Sequence, residues 1–215
     1  RFQEKYGYDI LDHLPVIFKE NGEKDFENRN PNIYSDYENF WYLELGGNRD
    51  SIGDTEELRD ELVSLAYGMF DYIKNSGEVE DADFWQLDFL AFLPGKRESR
   101  RYVGDHILNE KDILSGYCFH DSIAYGGWPI DDHHPAGFLH NGPPNVNIRL
   151  EKNYTVPLRS LYSRNIGNLL FAGRNISATH TALSSTRVMA TCASLGQAAG
   201  TTVIYAINGK CPDLR

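Results

Sequence analysis

The chain has 215 residues, 31 acidic against 21 basic, with a formal charge of −10 and a pI near 5.1. That acidic balance argues against nucleic acid and anionic membranes, which need clustered Lys and Arg, and 41% hydrophobic residues exclude a disordered chain. Cys118, Cys192 and Cys211 are odd in number and form no CxxC, so neither a disulfide framework nor a cysteine zinc site is supported.

In chain order, residues 1–40 are polar and aromatic, with "NRNPN" and "YSDYENF" as turn-rich stretches. "FWYLELGG" predicts a strand, with Trp41, Leu43 and Leu45 on one face and Tyr42 and Glu44 on the other. "DTEELRDELVSLAYGMFDYIKNSG" predicts an amphipathic helix. Asp54 is its N-cap, Glu57 the capping-box partner, and Gly77 stands at C′. Leu58, Leu62, Leu65, Met69 and Ile73 recur at helical spacing.

"FWQLDFLAFLPG" predicts a buried helix or strand stopped by Pro94-Gly95, and "NEKDILSG" a short capped turn or helix. "SIAYGGWPIDDHHPAGFLHNGPPN" reads as one long loop of the kind that carries function. Leu169 to Ala172 is a continuous apolar run suited to a buried strand, and Thr186 to Asn208 predicts one long helix closed by Gly209.

That last helix carries no formal charge from Val188 to Gly209. Thr191, Ser194, Gln197, Thr201, Thr202 and Asn208 make it too polar to span a membrane, so it predicts a buried helix packed closely through small residues. A helix start offers unpaired N–H groups and the positive end of a dipole. Here Ser184, Ser185, Thr186 and Arg187 precede it, and Gly173 lets the backbone approach a ligand. Strand, glycine, ligand loop and helix is how open α/β sheets seat cofactors. A strand-turn-helix without a ligand is the alternative from the residues alone.

"NLLFAGRNISATHTALSSTRVMATCASLGQAAGT" resembles the carboxyl-terminal flavin-contacting segment of the FAD-dependent oxidoreductase family. "FLPGKRESRRYVGDHIL" and "AYGGWPIDDHHPAGF" resemble two substrate-side segments of the same family, and the likeness is nearest to bacterial, xanthan lyase-related members. The resemblance implies an α/β or α+β fold with FAD as cofactor. Residues 1–160 would form the substrate-side region, and 161–215 the last strand, loop and helix of a partial FAD-binding domain. The family's GxGxxG turn is not among these residues, so the resemblance implies a carboxyl-terminal portion. Its partners would be the GxGxxG-bearing remainder of its own polypeptide and a small-molecule substrate.

By the same resemblance, Gly173, Arg174 and Asn175 lie along the FAD pyrophosphate or ribityl chain; Arg174 suits phosphate because its guanidinium is a fixed bidentate donor. Thr186, Arg187 and Val188 start a helix beneath the flavin pyrimidine, with Ser185 beside them and Ser177 and His180 on the same face. His133 faces substrate and is the first candidate for acid-base work, since imidazole exchanges protons readily near neutral pH. His180 is the second. Arg100, from "KRESRR", is a candidate for orienting substrate or supplying a proton, and Glu44 is a candidate to pair with such an Arg. If "KRESRR" forms a strand, Arg97, Ser99 and Arg101 share one face. Asp131 to His134 plus His140 have metal-ligand side chains, but adjacent ligands on one loop seldom reach one ion, and no metal is expected.

A second class remains open from the residues: a non-catalytic carbohydrate-binding or interaction module built on 13 tyrosines, 11 phenylalanines and 3 tryptophans. It would expose Trp41, Trp85 and Trp128 on one surface, whereas the enzyme reading buries Trp41 and Trp85.

Overall fold

A computed structural model describes residues 40–77 and 80–209. The turn-rich stretches before residue 40 and Cys211 lie outside the described residues. The chain forms two compact units: Arg1–Gly95 with His133–Pro144, and Lys96–Asp132 with Asn145–Arg215. The described residues hold four helices and two two-stranded sheets, the mixed composition expected, in an α+β arrangement.

In the first unit α1 (Thr55–Asn75) buries Leu58, Leu65, Met69, Tyr72 and Ile73. Leu65, Met69 and Ile73 pack with Tyr42 and Phe138 as its core. Gly77 takes φ +74° where the left-handed C′ residue was expected. The capping box does not form, for Asp54 makes no side-chain cap bond. Arg49 draws Asp54 and Glu57 away together with Glu61, at 3.5, 3.0 and 2.6 Å. Charge-assisted bonds to a guanidinium outcompete a neutral N–H cap.

Phe40–Gly47 is a turn, not the expected strand. Leu43 N–H donates to Phe40 O and Glu44 N–H to Tyr42 O, each at 2.9 Å. No strand among the described residues pairs with it. Alternation fails accordingly: Tyr42 is buried and Trp41 is on the surface. "FWQLDFLAFLPG" is likewise neither buried helix nor strand. After a single 3₁₀ turn at Ala82–Phe84 the chain is irregular, and Phe84, Phe89, Phe92 and Leu93 are exposed. Lys74 Nζ ties this segment to the end of α1 through the Ala82, Asp83 and Trp85 carbonyls.

The second unit opens irregularly; "KRESRR" forms no strand. Helix α2 (Glu110–Ser115) has a complete capping box between Asn109 and Asp112 and ends at Gly116 with φ +63°. The expected long loop instead supplies two strands, β1 (Ser122–Gly126) and β2 (Ile130–His133), and a 3₁₀ turn at Gly137–Leu139. Its glycines and prolines mark the joints between short elements. β3 (Asn145–Ile148) pairs with β2, and β4 (Tyr154–Pro157) pairs antiparallel with β1 across a bulge at Ser122–Ala124. Gly126 sits against the Tyr154 ring, which occupies the space where a Cβ would go.

Leu169 to Ala172 is not a strand; Leu170 makes one bridge to Tyr162, and Phe171 N–H donates to Leu161 O at 2.7 Å. A four-residue apolar run suits any buried segment. The expected long helix is found as α4 (Met189–Ile207), and a separate short helix, α3 (His180–Thr186), precedes it. The break falls at Val188, whose extended backbone (φ −69°, ψ 148°) makes it the N-cap of α4. Helix α4 is not enveloped: Thr191, Leu195 and Ala199 form one buried stripe, while Val203, Ile204, Tyr205 and Ile207 are exposed. Among the described residues no helix is long and apolar enough to cross a membrane.

Asp121 anchors this unit by accepting three hydrogen bonds from the backbone N, Nε and Nη2 of Arg159, at 3.3, 3.0 and 3.1 Å. Burial alone would raise the Asp121 carboxyl, but the bonds and charge of Arg159 outweigh it and hold the group below its ordinary value. A depressed folded-state value stabilises the fold above the unfolded carboxylate value of about 3.9. That contribution disappears as pH falls through the folded value. Asp121→Asn is expected to lose about 1 kcal/mol at neutral pH, after discounting for the exposed side of Arg159. Its urea midpoint should also fall less steeply with acid than that of the wild type.

Candidate functional site

Two histidine-centred clusters stand out, one in each unit. In the first, His133 at the end of β2 places Nδ1 2.5 Å from Glu44 Oε1. The two side chains are 14% and 22% exposed, so the bond is largely shielded from water. The Trp41 ring meets the imidazole edge-on at 5.1 Å. Glu44 thus has a histidine as a partner.

Backbone contacts hold this pair in place. Phe138 N–H donates to Glu44 O at 2.8 Å. Gly137 has φ +57°, and any Cβ there would run into that same carbonyl. A Cβ on Gly47 would lie 2.6 Å from Pro135 O. Two glycines thus let the 44–47 turn lie main chain on main chain against residues 135–138. Close by in sequence, the His134 and His140 rings stack at 3.5 Å, with His134 Nδ1 accepting Ala136 N–H.

In the second unit His180 is the first residue of α3, whose N-cap Thr179 accepts from Ala182 N–H. His180 Nδ1 lies 2.6 Å from Glu98 Oε2, and Nε2 lies 2.8 Å from Asp132 Oδ1. Ser184 Oγ donates to the same Asp132 oxygen at 3.0 Å, and Arg101 pairs with Glu98. Both ring nitrogens face acceptor-only groups, so both bonds form together only when both nitrogens carry protons.

The expected cofactor residues also lie in this unit. Gly173 has φ +107° with open space where a Cβ would stand. Arg174 is exposed; its Nη1 donates to the Lys96 and Arg97 carbonyls at 2.6 and 3.2 Å. Its Nε and Nη2 donors have no partner among the described residues. Asn175 O accepts Tyr102 N–H. Ser177 is fully buried with no partner for its hydroxyl, as is Thr186 Oγ1. Ser185 Oγ bonds Trp128 O and the Tyr154 phenol, whose pKa burial pushes up to about 12. Arg187 Nη2 bonds Asp131. Arg100 is exposed. Ser177, Ser185 and Thr186 are thus buried, and the 173–174 corner presents open donors.

The partners of both histidines escaped sequence reading. Glu44 and Glu98 lie 89 and 82 residues from theirs, and no local pattern announces such pairs. Asp132 was singled out only as a metal ligand. The expected burial of Trp41 and Trp85 is not found: they are 39% and 45% exposed, and Trp128 is 49% exposed. Trp41 nevertheless spends its ring edge on His133 and Tyr42.

No curated protein and no solved structure matches the chain at a significant level. The family model for FAD dependent oxidoreductases matches residues 11–214. With nearly the whole sequence covered, the chain belongs to the FAD-dependent oxidoreductase family, whose cofactor is FAD.

Proposed function

We propose that this chain supplies the substrate-side region and the carboxyl-terminal flavin contacts of an enzyme that moves hydride between an organic substrate and FAD. FAD, when bound, supplies the two-electron acceptor or donor. Residues 161–215 serve the flavin side and the residues before them the substrate side. A sugar or sugar-derived alcohol is the substrate class, by likeness to the carbohydrate-associated members.

The observation that carries the reading is the Gly173–Arg174 corner. Arg174 is held by two carbonyls through one nitrogen, which leaves the Nε/Nη2 edge open for a phosphate. Gly173 adds no side chain in front of it. The donor set thus fits the pyrophosphate of FAD. Asn175 continues that strip, Ser177 and Thr186 hold its shape from within, and Val188 opens α4, the helix assigned to the flavin ring. His133 takes or gives the substrate proton, and Arg100 orients substrate. His180, with a carboxylate on each nitrogen, braces Glu98 and Asp132 instead of carrying protons.

The test is flavin absorption by the intact protein after FAD is added and the unbound fraction filtered off. A retained yellow band is expected, with Arg174→Ala weakening retention tenfold or more, about 1.4 kcal/mol. Failure of the intact protein to hold any flavin would overturn the reading.

A further inference from the structure

Backbone bonds lay residues 102–108 along 175–179. Tyr102 N–H donates to Asn175 O, Leu108 N–H to Ser177 O and Thr179 N–H to Leu108 O, at 3.1, 3.0 and 2.8 Å. Ahead of that strip the charged stretch Lys96–Glu98 has no regular structure. Two side-chain links tie it to the 174–180 segment. Arg174 Nη1 donates to the Lys96 and Arg97 carbonyls at 2.6 and 3.2 Å. Glu98, the next residue, places Oε2 2.6 Å from His180 Nδ1. What holds the Glu98 carboxylate therefore also limits where those two carbonyls can lie.

The second link depends on charge. His180 stands between Glu98 and Asp132, and Ser184 Oγ donates to the same Asp132 oxygen. Around this trio Arg101 pairs with Glu98 at 3.1 Å, and Arg187 pairs with Asp131 at 3.2 Å. A carboxylate only accepts hydrogen bonds. An imidazolium satisfies both flanking carboxylates, whereas a neutral ring turns a lone pair toward one of them. The His180 side chain is 50% exposed, so solvent protons reach it.

We infer that His180 is a positioning residue for Arg174: by clasping Glu98 against Asp132 it fixes the Lys96 and Arg97 carbonyls that hold the guanidinium, so the order of the 173–174 corner follows the charge on the His180 ring. Its consequence for FAD rests on the reading of Arg174 as the pyrophosphate contact. With the ring charged, an arriving anion meets a guanidinium already in place. With the ring neutral, the Lys96–Glu98 stretch loosens, and the anion must order Arg174 as it binds, which costs affinity.

The experiment follows the ¹H–¹⁵N signals of the Arg174 guanidinium in the intact protein before FAD is added, assigned by their loss in Arg174→Ala. The His180 ring is titrated in the same samples by its own signals, assigned by their loss in His180→Gln. Rotation of the guanidinium should be slow while the ring is charged and should quicken as the ring loses its proton, the two curves sharing one midpoint. Glu98→Leu should free Arg174 at every pH, and Glu98→Gln, which keeps an acceptor oxygen, should retain most of the restraint. Across the same midpoint FAD should bind about 3–10-fold more weakly to the wild type, the scale of ordering one long side chain, and His180→Gln should show no such step. A wild-type ring that titrates while the Arg174 signals stay constant would overturn the inference without recourse to any variant. So would wild-type guanidinium rotation in Glu98→Leu. Arg174 and His180 moving together in a protein that holds no FAD would remove the pyrophosphate reading of the corner and leave the clasp standing.

Discussion

His133→Gln should slow turnover about 10²–10⁴-fold, the range of a single positioned general acid or base. Glutamine keeps much of the size and one donor, so the 133–138 turn and the Glu44 bond survive while proton transfer does not. The experiment is anaerobic mixing of the flavin-loaded protein with a panel of sugars and sugar alcohols, following loss of the flavin band. Flavin retention should stay at the wild-type level, which separates chemistry from binding. A rate within threefold of wild type would take His133 out of the reaction. His180→Gln is the informative comparison. Because both its nitrogens are committed to Glu98 and Asp132, its loss should act first on the stability of the second unit.

Gly137→Ala should be among the most destabilising single-methyl additions in the first unit. The φ of +57° costs an alanine about 1 kcal/mol or more. The added carbon also meets the Glu44 carbonyl, a main-chain atom that cannot swing aside. Together these should remove about 3 kcal/mol, read from urea denaturation. Gly95→Ala is the control, since a Cβ there meets nothing within 4 Å, and it should change stability by no more than about 0.5 kcal/mol. Equal effects at the two positions would mean that the 44–47 turn does not rest on the 135–138 segment. The same variant should spoil the His133–Glu44 geometry, so its activity loss should exceed what its unfolded fraction explains.

What sequence reading reached, and what it missed, follows the range of the physics involved. Helix α1 and its Gly77 stop were legible because period and cap chemistry are local. The short capped helix at "NEKDILSG" was legible for the same reason. Asp54 failed as a cap because Arg49, five residues earlier, offered a charge that no propensity argument weighs. "FWYLELGG" has the period of a strand, but no strand among the described residues pairs with it, and pairing is never visible in the strand itself. The short helix α3 was hidden because a seven-residue, hydroxyl-rich segment carries too few turns for a helical period to show. At the site, histidines and the Gly173–Arg174 corner stood out as residue types. Their carboxylate partners did not, since bonds across more than forty residues leave no spacing to read.

The way Arg174 is held has a consequence for ordering. A free arginine side chain samples many rotamers, and a ligand that fixes it must offset that lost freedom. Here the Lys96 and Arg97 carbonyls have already settled Nη1 during folding. They are dipoles, not counter-ions, so the guanidinium keeps its whole charge. An arriving anion therefore breaks no ion pair and freezes little that was still moving, and more of its attraction survives as affinity.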